Sequence, residues 1–113
     1  MRRMSFSATV DQMRDRSKTV TRRDPSTWAN LKPGDRLLAV EKAMGLAKGE
    51  QQVAIGVIEI VDVRVELLSE ITDAEATKEG FPKLGANGFI AEVWVPMHGP
   101  AYGAVRVRRI EFR

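Results

Sequence analysis

"VAIGVIEIVDVRVELL", residues 53–68, decides the fold. Apolar residues alternate at Val53, Ile55 and Val57, move to Ile58 and Ile60, then move back through Val61, Val63 and Val65. Alternation with a period of two marks a strand with one face on a core. Two changes of parity in one run predict β-bulges or a sharp bend. Long bent strands of this kind are how small barrels close. No strand–helix–strand repeat accompanies it, so an antiparallel sheet is expected.

On the C-terminal side, "TDAEATKEGFP" (72–82) carries a full set of helix punctuation. Thr72 and Glu75 form a capping box, Lys78 sits in the last turn, Gly80 suits the position after the helix, and Pro82 follows. "ANGFIAEVWVPM" (86–97) predicts a helix with Phe89, Ile90, Val93 and Trp94 on one side, ended before Pro96. "AVRVRRIEFR" (104–113) closes the chain as a strand. Its parity changes between Val107 and Ile110, which predicts a bulge near Arg108 and Arg109.

On the N-terminal side, "MSFS" (4–7) reads as a short strand and "TVDQMRDRS" (9–17) as a short helix with Thr9 and Gln12 in a capping box. "KTVTRR" (18–23) and "RLLAVEK" (36–42) are strands. Between them lies a loop with Pro25 and a Pro33-Gly34 turn. "AMGLAKGEQQ" (43–52) is a long hairpin loop. The sum is an α+β, mostly β, single domain: a small antiparallel β-barrel with about three short helices at its rim.

A chain of 113 residues with 43% apolar content fits one globular core. It has no apolar run of membrane-spanning length and no secretory h-region, so a cytoplasmic protein without membrane partners is expected. With no Cys and one His, His98, neither a metal site nor a cofactor is expected.

Charge is distributed unevenly. Residues 1–23 carry seven basic and two acidic side chains, residues 24–103 seven and twelve, and residues 104–113 four and one. The ends are basic and the middle is acidic. If the ends meet in space they form one positive face that attracts phosphates; the alternative is scattered solvated Arg.

"RSKTVTRR" (16–23) concentrates the chemistry: Arg16, Lys18, Thr21, Arg22 and Arg23 on and before one strand. With Arg106 and Arg108 of the last strand, these cations are candidates to meet phosphate or base edges of RNA or a nucleotide. Trp28, in a polar loop after them, is the base-stacking candidate. Trp94 lies on an apolar helix face and reads as core, while His98 and Tyr102 flank the loop "HGPAYG" (98–103). Glu59 shares parity with Val57 and Val61, and a bulge is expected to turn it outward.

"SKTVTRR", "LKPGDRLLAVEK", "LLSEITDAEATKEGFP", the aromatic helix and "VRVRRIEF", in that order, resemble the ASCH domain family over nearly the whole chain. The resemblance implies a PUA-like β-barrel. The family hallmark is G-x-K followed after four residues by R. Lys18 and Arg23 keep that spacing, and Arg16 stands at the Gly position. A Gly there would allow positive φ.

The resemblance also implies binding of RNA, a nucleotide or a modified nucleoside in a basic cleft. One branch of the family consists of amidohydrolases acting on N4-acetylcytidine, and their catalytic Lys, Thr and Glu fall on Lys18, Thr21 and Glu79. A ribonuclease activity and an accessory role contacting a partner protein are further alternatives.

The chemistry asks two things of the trio. Lys18 serves as a base only below its ordinary pKa of about 10.4, and Thr21 is a weak nucleophile without a base. In an ideal strand Lys18 and Thr21 point apart, so a bend is required, or Lys18 must precede the strand. Otherwise Thr21 is an ordinary strand residue, Lys18 a surface charge and Glu79 a solvated residue. Glu79 at a helix C-terminus faces the negative end of the dipole, which favours pairing it with Lys18 or an Arg.

Overall fold

A computed structural model describes residues 1–43 and 45–113. Met44, inside the connection read as a hairpin loop, lies outside the described residues. The strands are β1 (Arg3–Ser5), β2 (Val20–Arg23), β3 (Arg36–Val40), β4 (Ala54–Leu67) and β5 (Arg106–Phe112). Helix α1 (Val10–Arg14) precedes β2, and α2 (Asp73–Lys78) follows β4 after a 3₁₀ turn, Leu68–Glu70. Helix α3 (Gly85–Phe89) runs through a π turn (Ile90–Trp94) into α4 (Val95–His98) as one continuous helical segment. Among the described residues no helix is long and apolar enough to cross a membrane.

The sheet is mixed and open, in the order β1-β3-β4-β5-β2. This corrects the expected PUA-like antiparallel barrel. β1 runs parallel to β3, with Met4 opposite Ala39, and the other pairs are antiparallel. The edges β1 and β2 have three and four residues, too short for a closing ladder. A side chain links them instead: Arg23 Nη2 donates to Ser5 O at 2.7 Å.

β4 carries two register shifts. The first lies where Ala39 and Val40 face Gly56 and Ala54, leaving Ile55 unpaired. The second lies where Ile60 and Asp62 face Phe112 and Glu111, leaving Val61 unpaired, and falls at the expected parity change after Ile60. The expected change from Val57 to Ile58 lies in unbroken register, with Val57 exposed. Because of them Ile55, Ile58, Ile60 and Val63 all pack on one core, with Met4, Phe6, Leu37 and Phe112. Bulges coil a strand, but here they serve core packing without closing the sheet.

β5 departs from its expectation. Its register is unbroken at Arg108 and Arg109, which face Arg23 and Arg22. Its parity changes because both faces are covered. Ile110 and Phe112 enter the first core. Val107 enters a second, with Leu68, Ile71, Ala76, Phe89 and Trp94.

Pro96 does not end its helix. Val95 N–H donates to Ile90 O, five residues back. This wide turn places Pro96 in the first turn of α4, where its missing N–H costs nothing.

Candidate functional site

The approach to β2 places Lys18. Arg16 adopts φ 65° itself, the left-handed turn that glycine would make without strain, at a cost of about 1–2 kcal/mol. Lys18 N–H then donates to Gln12 O at 3.1 Å, and Thr19 N–H to Lys78 O at 2.8 Å. The segment is thus held between α1 and the end of α2. Lys18 precedes β2 proper, so strand parity does not turn it away from Thr21.

Glu79 caps the C-terminus of α2. Lys18 Nζ donates to Glu79 Oε1 and to Glu79 O, both at 2.8 Å. Arg22 Nη1 donates to Glu79 Oε2 at 3.1 Å. Lys18 is 5% and Glu79 3% exposed. Burial pushes the Lys18 ammonium below its ordinary pKa; Glu79 opposes this, and Arg23 and Arg22 add to it.

Gly80 fixes this geometry. Its φ is 101°, and a Cβ there would meet Gln12 Cγ at 2.9 Å. Gln12 Nε2 donates to Gly80 O at 3.2 Å, rather than completing the expected box with Thr9, which makes no side-chain cap. Gly80→Ala is therefore expected to destabilise the fold by about 1–2 kcal/mol. An unchanged midpoint in urea would show that the turn carries no such constraint.

Thr21 is 4% exposed. Its Oγ accepts from Arg23 Nε at 3.0 Å, and among the described residues no hydrogen bond joins it to Lys18 or Glu79. The Arg23 guanidinium lies 5.0 Å over the Phe6 ring. Burial lowers its pKa and Glu79 opposes this, but it stays a cation at any working pH.

A cavity of about 210 Å³ opens beside these groups. Lys18, Thr21, Arg22, Arg23 and Glu79 line one part, and Phe81, Phe89, Val93, Trp94, Met97 and His98 another. Trp94 stacks on His98 with ring centroids 3.7 Å apart. Trp94 is therefore core, as its helix face predicts, and cavity wall as well.

The basic termini do meet, since β2 pairs with β5 and Arg23 faces Arg108. Glutamates of the middle segment neutralise part of this charge. Arg22 Nη2 binds Glu75 at 2.7 Å and Glu66 at 3.0 Å. Arg109 binds Glu75 at 2.5 and 3.2 Å, and Glu111 at 3.3 Å. Those bonds to Arg109 hold the Glu75 carboxyl down at about 2, helped by Arg22 against the effect of burial.

Arg108 donates to the backbone of Thr27 at 3.0 Å and of Pro25 at 2.6 Å. Arg16 and Arg106 are exposed. Trp28 lies outside the cavity lining, with the Arg2 guanidinium 4.5 Å over its ring. Tyr102 is 86% exposed. Glu59 turns outward and binds Arg113 at 2.9 Å. Among the described residues no group of three or more His, Asp or Glu is arranged to hold a metal ion.

Sequence reasoning missed Glu66, Glu75 and Arg109 as partners of the site. The available signal was Glu75, an acid in the first turn of a helix following a strand rich in charge.

No protein-family model matches the sequence, and no curated protein matches it. Among solved structures the chain is similar to protein EF3133 from Enterococcus faecalis V583, described by the family model DUF984. The TM-score is 0.58 at 14% identity, covering 95% of this chain and 69% of that one. A likeness at that identity speaks to the fold alone.

Proposed function

We propose that the chain is an ASCH-type amidohydrolase that removes the acyl group from an N4-acylated, cytidine-like nucleoside. The observation that carries this reading is the buried Lys18–Glu79 contact at 2.8 Å, beside a cavity that Thr21 also lines. The cavity is smaller than the roughly 300–1,000 Å³ of typical small-molecule sites. It suits one planar head group rather than a run of nucleotides, and its aromatic wall supplies a stacking surface.

Each group has a role. Lys18, in its neutral form, takes the proton of Thr21 as Oγ attacks the acyl carbonyl. Arg23 Nε holds one lone pair of that oxygen, which leaves the hydroxyl proton free for Lys18 and favours negative charge as it develops. Lys18 ammonium then protonates the departing N4 amine, leaving an acyl ester on Thr21. Water, deprotonated by Lys18, attacks the ester carbonyl, and the Lys18 ammonium returns that proton to Thr21 Oγ as the acid leaves. Glu79 keeps the Lys18 head in place throughout.

Incubation with N4-acetylcytidine should yield cytidine and acetate. Lys18→Ala and Thr21→Ala should each lower kcat/KM by at least about a hundredfold with the fold retained. The rate should rise with pH as Lys18 loses its proton and level off below the ordinary lysine pKa, because burial lowers it. Absence of cytidine with any acyl chain tried would sink the proposal.

A second reading, binding of a nucleoside or RNA segment without turnover, is favoured by one contact: Thr21 Oγ bonds to Arg23 rather than to the Lys18–Glu79 pair. Under that reading Lys18→Ala weakens the ligand and Thr21→Ala matters little.

A further inference from the structure

A second depression, of about 580 Å³, lies beside α1 and over β3, β4 and the end of β5. Its volume falls within the range of small-molecule sites, about 300–1,000 Å³. The floor is apolar, formed by Ala39, Ile55, Gly56, Val57 and Phe112, and the rim carries Arg14, Arg16 and Arg113. Lys18 lines both depressions, but its ammonium is engaged by Glu79 in the first.

Two independent features point to a ligand. Gly56 lies inside β4 opposite Ala39, and among the described residues no atom stands within 4 Å of where its Cβ would be. Crowding does not demand glycine here, and the neighbouring register shift leaves Ile55 rather than Gly56 unpaired. A glycine inside a strand weakens it and often marks close approach of a ligand. Its effect here is an open floor, with Val57 beside it 56% exposed.

The second feature is Arg16. It holds a left-handed φ of 65° that glycine would adopt unstrained, so the side chain is retained against a backbone cost. Arg14 and Arg113 are engaged by Glu41 at 2.5 Å and Glu59 at 2.9 Å. Arg16 has no ion-pair partner among the described residues. The strained position supplies an uncommitted cation at the rim.

We infer that this groove binds a small organic anion with a flat apolar body, of the aryl phosphate kind. The body lies over Gly56, where the missing side chain leaves the space open, and the phosphate meets Arg16. This site is independent of the proposed hydrolysis.

The test uses the intact protein with 8-anilinonaphthalene-1-sulfonate as fluorescent probe and phenyl phosphate as competitor. Phenyl phosphate should displace the probe at millimolar concentration, with inorganic phosphate and benzyl alcohol each at least tenfold weaker. Gly56→Val should weaken binding at least tenfold while the melting temperature holds or rises, since the space is open and the residue suits a strand. Arg16→Gly should weaken phenyl phosphate about tenfold and raise the melting temperature by relieving strain. The inference falls if either variant binds as the parent does, if Gly56→Val lowers the melting temperature, if inorganic phosphate competes as well as phenyl phosphate, or if phenyl phosphate displaces nothing.

Discussion

Glu79→Ala is expected to lower unfolding free energy by about 3–5 kcal/mol, because removing one partner of a buried ion pair strands the other charge. Here one charge, Lys18, is stranded, and a second, Arg22, loses one of its three carboxylate partners. Lys18 loses a 2.8 Å bond and Arg22 a 3.1 Å bond to the same carboxylate. Among the described residues the buried Nε of Arg22 has no hydrogen-bond partner, so the site has little slack to absorb another loss. A typical domain has only about 5–15 kcal/mol in total, so the variant should sit close to the unfolding threshold.

The cause is separable from lost packing. Adding Lys18→Met to Glu79→Ala removes the stranded ammonium and should recover part of the loss, since apolar residues can replace a buried ion pair at little cost. Urea unfolding of the two variants decides it. A loss under about 1 kcal/mol for Glu79→Ala, or a double variant less stable than the single, would mean that the charges find other partners or solvent.

This pair was expected because the family resemblance places Lys18 and Glu79 in one site, and the sequence supports it with a local reason at each residue. A glutamate at a helix C-terminus and a lysine next to two arginines are each electrostatically misplaced alone, and each relieves the other. The helix was legible too, because Thr72 and Gly80 act within a few residues: Thr72 Oγ accepts from Glu75 N–H at 3.2 Å, and Gly80 takes a positive φ. The register shift of β4 after Ile60 was legible because its parity change is written in the strand itself. The shift at Ile55 was not, and the parity change from Val57 to Ile58 reflects an exposed valine in unbroken register.

What was hidden depends on distant partners. Whether a coiled sheet closes is set by edge strands, and no pattern in residues 3–5 announces a parallel pairing with β3. The parity change of β5 looks like a bulge until the second core on its other face is known. Pro96 predicts a helix end unless a π turn precedes it, and the widened turn has no marker in "IAEVW" (90–94). The basic patch read from chain ends ignored that the acidic middle returns over it. Glu75 reaches Arg22 and Arg109 only because those two stand opposite each other in the β2–β5 register.

That crossing point sets the acid response of the fold. Glu75 has an ordinary pKa near 4.5, and in the folded chain it is held at about 2, chiefly by its bonds to Arg109. A carboxyl whose folded pKa is depressed contributes stability above its unfolded pKa, and loses it as pH falls through the folded one. The contribution should therefore be complete above pH ~5 and decline from there toward pH ~2. At 1.36 kcal/mol per pH unit the full shift is worth about 3 kcal/mol. Glu75 keeps 14% of its side chain exposed, and screening there brings the figure to about 2 kcal/mol. Glu75→Gln should remove about that much at pH 7 and flatten the decline between pH 5 and pH 2, since the amide does not titrate. The parent and variant curves should converge at the acid end. Urea unfolding at several pH values measures both. Parallel curves, with the variant equally weakened at pH 2.5 and pH 7, would assign the loss to shape rather than charge and would move the acid sensitivity to other carboxylates of the network.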